Sequence, residues 1–161
     1  MDIKKKLRLY LDEYLKPVKM RAIRNDFSGS CGKECSATSI AAFINNNKGE
    51  ETFQKKLFKL IDERNLKDSE VYNKVNIDRR LFSKIRSNKD YHPSKETIIL
   101  FGLALKLDEE EIEDFLKSAS YSLPMNTTFD LIIRFCFKEH IYDVDVVNSF
   151  LYDYNCKLLG E

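Results

Sequence analysis

Apolar residues return every three or four positions through most of this chain, with charge between them, and no stretch alternates long enough to make a strand. Ile3, Leu7, Tyr10, Leu11, Tyr14 and Leu15 trace one face of a helix over 3–15, and Pro17 ends it. Residues 24–36, RNDFSGSCGKECS, hold two Gly among Ser and Asn and read as a loop. Ile40, Ala41, Phe43 and Ile44 suit a short helix. The run Asn45-Asn46-Asn47-Lys48-Gly49 then interrupts the pattern. It divides the chain into an N-terminal helix with a linker, 1–48, and a helical domain, 49–161.

The helical signal strengthens after the break. Phe53, Leu57, Leu60 and Ile61 share a face of a helix ending near Arg64. Asp68 reads as the cap of a short helix, Ser69 to Val75. Asn76 suits a turn because it tolerates positive φ, and Asp78 can cap a helix to about Arg86. Ser94, after Pro93, opens a helix through Leu105. Asp108 opens another to about Ser118, with Glu109, Glu110 and Glu111 in its first turn, where the helix dipole favours anions. Pro124 breaks the pattern. Thr127 or Thr128 caps a helix to Lys138, and Asp143 starts a last one through about Tyr152.

The middle of this series carries a signature. Residues 66–107 place two short helices around a tight turn, followed by a helix rich in basic residues, which is the plan of a helix-turn-helix. With Ser69 to Val71 opening one helix, Asn76 in the turn, and Ile77, Phe82, Ser83 and Ile85 patterning the next, the stretch resembles the lambda-repressor/Cro-like family. Pro93, Ser94, Leu100, Leu103, Ala104 and Leu107 continue the resemblance, which covers five helices in all. It departs at Asn76, where the family usually has Gly, and at Glu70, where it usually has Gln. Residues 50–161, from ETFQKKLFKLIDERN through FDLIIRF to KLLG, also resemble a helical C-terminal domain of bacterial proteins. There it follows macrodomains, von Willebrand-type domains or other effector modules. The first resemblance implies DNA binding. The second implies an accessory, protein-interacting unit in a bacterial or phage stress or defence setting.

Helical-wheel arithmetic locates the surface concerned. At about 100° per residue, Ile77, Leu81, Phe82 and Ile85 gather on a core side. Arg79, Arg80, Ser83, Arg86 and Ser87 gather opposite, with Lys84 on a flank. Arg pairs bidentately with guanine edges, and Lys or Ser can hold phosphates. Lys89 and Lys95, in the following loop and helix start, are placed for backbone contacts. The expected fold is all-α: a five-helix helix-turn-helix core, two further C-terminal helices and an N-terminal helical arm. The expected function is a DNA-binding regulator, and the alternative is a protein-interaction or adaptor module.

Charge sharpens the question of partners. The net charge of +1 conceals a basic start, +5 over residues 1–24, a basic middle, +4 over 76–106, and an acidic end, −8 over 107–161. Such asymmetry bears on partners rather than on fold. Leu7, Leu11 and Tyr14 line the apolar stripe of the first helix. That stripe can dock on its own domain, on a second copy or another protein, or on an anionic membrane through its lysines. We expect a homodimer in which the basic arm of one chain meets the acidic C-terminal helices of the other.

Composition excludes several classes. Apolar residues at 43% and charged residues at 33% describe a globular chain. No apolar run approaches a membrane span, and the N-terminus is too charged for a secretory signal, so a cytoplasmic protein is expected. Cys31, Cys35, Cys136 and Cys156 are sparse and expected to be reduced. Cys31, Cys35, Cys136 and His140 could form a zinc site, but Cys136 sits in an apolar run that favours a buried thiol. SGSCGK departs from a phosphate-binding loop in spacing and in its Glu34. Cys31 lacks a recognisable histidine partner for nucleophilic chemistry. No catalysis, metal or cofactor is expected.

Overall fold

Side-chain oxygens start most of the helices. A computed structural model describes residues 2–15, 52–89 and 91–160 and is all-helical, with eight helices and no strand among them. Asp2 opens α1 (Ile3–Tyr14), its carboxylate accepting from the Lys4 N–H. Next come α2 (Phe53–Glu63) and α3 (Asp68–Lys74). Asp78 caps α4 (Arg79–Ser87), and Ser94 caps α5 (Lys95–Leu105). Asp108 and Glu111 form a reciprocal capping box on α6 (Glu109–Lys117). Thr127 caps α7 (Thr128–Lys138) and Asp143 caps α8 (Val144–Asp153). Asp68 departs from expectation. It lies inside the first turn of α3, and the Lys67 N–H is satisfied by Glu70 instead.

The helices stop by a shared device. Asn65, Asn76, Lys106, Ser120, His140 and Asn155 all adopt positive φ, between 51° and 60°. In each case the next residue sends its N–H back to a carbonyl in the last turn, at 2.8–3.1 Å. This is the Schellman closure, and it ends α2, α3, α5, α6, α7 and α8. A non-glycine residue there costs about 1–2 kcal/mol of backbone strain. The residue that follows, such as Ile77 or Leu107, drives itself into the core and offsets that cost.

At the centre lies α5, whose residues Ile98 to Leu105 are all buried. It packs on α3 and α6, while α6 also meets α2 and α7, and α7 meets α8. Gly102 allows the closest approach. A Cβ there would strike Ile112 Cδ1 and crowd the Phe137 ring. Phe82 is the hub of the aromatic core, with ring centroids 5.9 Å from Phe58, 5.5 Å from Tyr72 and 5.9 Å from Phe101.

The first helix belongs to the same compact unit as α2–α8, rather than to a separate N-terminal piece. The expected 24–36 loop, the short helix at 40–44, the 45–49 boundary, Cys31 and Cys35 lie outside the described residues. No described helix is long and apolar enough to cross a membrane.

Phe82 joins α2, α3, α4 and α5, so its truncation leaves a cavity that no single neighbour can fill. Phe82→Ala is expected to cost about 3–5 kcal/mol, read as a lower midpoint in a denaturant titration.

Candidate functional site

Together α3, the turn after it and α4 build one continuous solvent-facing surface. Asn76, with φ +54°, ends α3 and lets the Ile77 N–H reach the Tyr72 carbonyl at 2.9 Å. Ile77 is thereby buried, and Asp78 restarts the chain as α4. Phe82 and Ile85 point inward, with Leu81 half-buried beside them. At the far end of α4, the Gln54 side chain on α2 donates to the carbonyls of Ile85 and Arg86, both at 2.7 Å. The helix is therefore held by its core side and by its last turn, which leaves the opposite face to solvent.

Arg79, Arg80, Ser83, Lys84, Arg86, Ser87 and Lys89 are all exposed, as the wheel places them. Their situations differ. Arg79 and Arg80 make no ion pair with any described residue. Lys84 lies over the Tyr91 ring at 4.4 Å, and the Ser87 hydroxyl turns back to the Lys84 carbonyl. Arg86 reaches across to α3, with Nη1 2.5 Å from Asp68 Oδ2, and stacks 4.6 Å above the Phe58 ring. Lys95 is withdrawn from the face. Its Nζ meets the buried Asp130 carboxylate at 2.6 Å, tying the start of α5 to the start of α7. Thr127 donates to the other oxygen of that carboxylate. Lys95 is thus an internal counter-ion rather than a free cation, because Asp130 would otherwise be a buried unpaired charge.

An open cleft of about 510 Å³ runs between α3 and α4, lined by Lys67, Ser69, Tyr72, Arg79, Ser83 and Arg86, with Asp68 and Phe82 beside them. Nothing in the sequence pattern singles out Lys67, Ser69 or Tyr72. They lie on α3 and just before it, and only the packing of α3 against α4 brings them to this face.

The first helix presents the other candidate surface. Leu7 and Leu11 are buried in their own chain, where α1 packs on α7. Tyr10 stacks at 5.4 Å from Phe135. Lys4 pairs with Asp153 at 2.8 Å, and Lys6 pairs with Glu139. The basic arm does meet the acidic C-terminal helices, but within one chain. Leu7 and Leu11 are consequently unavailable to a second copy, and only Tyr14 of the three remains exposed. Burial, then the neighbouring Tyr14 and Glu109, push the Tyr10 hydroxyl up to about 12. It stays protonated throughout the physiological range.

Among the described residues no three His, Cys, Asp or Glu side chains gather to hold a metal ion. Cys136 is fully enclosed in α7, and burial pushes its thiol up to about 12. His140 Nδ1 is 2.9 Å from the Tyr142 hydroxyl. Comparison with protein-family models, with curated proteins and with solved structures returns no match.

The docking of α1 within its own chain has a measurable consequence. Leu11→Ala is expected to cost about 2–5 kcal/mol. The melting temperatures of both the variant and the parent should be independent of protein concentration, as thermal scans across a dilution series would show. A concentration-dependent parent would mean that α1 docks between chains.

Proposed function

We propose that this chain is a DNA-binding regulator that presents α4 to the major groove. In this reading α3, the Asn76 turn and α4 act as a helix-turn-helix, with α2, α5 and α6 completing the five-helix unit. The observation that carries it is the pairing state of the α4 face. Arg79 and Arg80, in the first turn, are exposed and without an ion-pair partner among the described residues. The N-terminal residues of a groove-bound helix are those that meet base edges. Ser83 extends the same face one turn on, while Lys84, Ser87 and Lys89 flank it for phosphate contacts.

A single α4 covers half a site, so two copies on the duplex are part of this proposal. Their mutual contact does not use Leu7 or Leu11, which α7 covers.

A second reading, a protein-docking surface, draws on Asp68 and Glu70. Both stand at the start of α3, where a duplex backbone would meet carboxylates. A partner with basic side chains suits that edge better than a phosphate does.

The two readings separate by salt and by substitution. A duplex binder loses affinity linearly on log–log axes as salt rises, in proportion to the phosphates it neutralises. Arg79→Ala with Arg80→Ala should leave the circular dichroism melt unchanged, since neither side chain joins the core. It should weaken duplex binding by about 1–3 kcal/mol for each lost contact. Unaltered mobility shifts for the double variant would exclude α4 as the reading element.

A further inference from the structure

We propose that Asp68 is an internal competitor for the DNA backbone, its carboxylate occupying the Arg86 guanidinium that a phosphate would otherwise take. The inference rests on the reading that the α4 face binds duplex DNA, and it concerns how that face is restrained. The contact has two points: Arg86 Nη1 to Asp68 Oδ2 at 2.5 Å, and Arg86 Nη2 to Asp68 Oδ1 at 3.3 Å. A guanidinium fork accepts a carboxylate and a phosphate with the same geometry. The two anions are therefore alternatives at one site.

Three features make the exchange possible. The pair is at the surface, with 57% of the Arg86 side chain and 32% of the Asp68 side chain exposed, so an incoming anion can reach it. An ion pair this open to water adds little to stability, and its loss does not threaten the fold. Arg86 also has a second support: the Phe58 ring lies 4.6 Å beneath its guanidinium and holds it in place when the carboxylate is absent. Asp68 has no duty as a cap that would explain it otherwise, because the Lys67 N–H is taken by Glu70. Arg86 and Asp68 line the same cleft as Lys67, Arg79 and Ser83. Releasing Arg86 would therefore add a cation beside those already exposed on α4.

In the parent protein, a phosphate approaching Arg86 has to displace a carboxylate or sit beside it. Binding is weakened, and one arginine is discounted from the electrostatic contact. The arrangement keeps the affinity of this face for any duplex low unless other contacts hold the DNA in register.

The test is Asp68→Asn in the full chain, with a mixed-sequence duplex as probe and salt varied between about 50 and 200 mM. The variant should bind several-fold more tightly at the low-salt end. Its log–log salt slope should steepen by about 0.9, the value for one further phosphate. Asp68→Glu should behave as the parent, and adding Arg86→Gln to Asp68→Asn should abolish the gain. A thermal melt establishes that each variant is folded, and Asp68→Ser substitutes for Asn where Asn is not. A folded Asp68→Asn with parental affinity and slope overturns the inference and leaves the DNA reading standing. So does a gain that survives Arg86→Gln. Absence of duplex binding by the parent and by every variant at low salt removes the DNA reading, and this inference with it.

Discussion

Residues Ile98 to Leu105 on α5 are all buried, and a helix with no polar stripe cannot face water on any side. It needs neighbours all round, and the other helices are arranged to supply them. On one side α3 covers it, and through α3 and the Asn76 turn it sets where α4 begins. On another side α6 approaches closely because Gly102 has no side chain to keep Ile112 and Phe137 away. Phe82, reaching from α4 to Phe101 on α5, locks the candidate face to this centre. The orientation of Arg79 and Arg80 thus follows from burial on the opposite side of their own helix.

Charge is settled largely inside the chain. The acidic C-terminal part is answered by basic residues from earlier in the sequence: Lys4 with Asp153, Lys6 with Glu139, Lys56 with Asp114, and Arg64 with Glu111. Arg134, within the acidic part itself, answers Glu109 and Glu113. The Lys56 ammonium beside Asp114 holds its carboxyl below the usual range. Most of these pairs are solvent-exposed and individually weak, so they select register more than they stabilise. Their effect on the surface is larger than their effect on stability. They neutralise much of the −8 end, while Arg79 and Arg80 keep their charge for something outside the described chain.

The candidate face accordingly mixes two kinds of cation. Arg79 and Arg80 project from the first turn of α4. Arg86 and Lys95 are tied to Asp68 and Asp130. The distinction matters because a count of basic residues overstates what a polyanion would meet. Lys95 is bound to a buried carboxylate and is lost to any ligand. Arg86 is bound to an exposed one and can be recovered.

Helix positions are legible in the sequence because the signals are local. Asp78, Ser94, Asp108, Thr127 and Asp143 each bond to an N–H two or three residues away, and apolar spacing marks which side turns inward. The all-α class and the exposure of Arg79, Arg80 and Ser83 follow from those signals. Helix ends are less legible. Nothing in Lys106, Ser120 or His140 demands positive φ, and the next residue's burial in the core decides it. Asp68 reads wrongly as a cap because a carboxylate at a helix start serves equally as a cap or as a partner, and Arg86 lies eighteen positions away. The stripe of α1 had to be buried, but its spacing could not say against which chain. By itself the sequence determined which residues form helices and which faces avoid water, since both depend on neighbours within a turn. Only the tertiary structure decided which charges are spent on each other and which remain, because ion pairing depends on distances that chain separation does not encode.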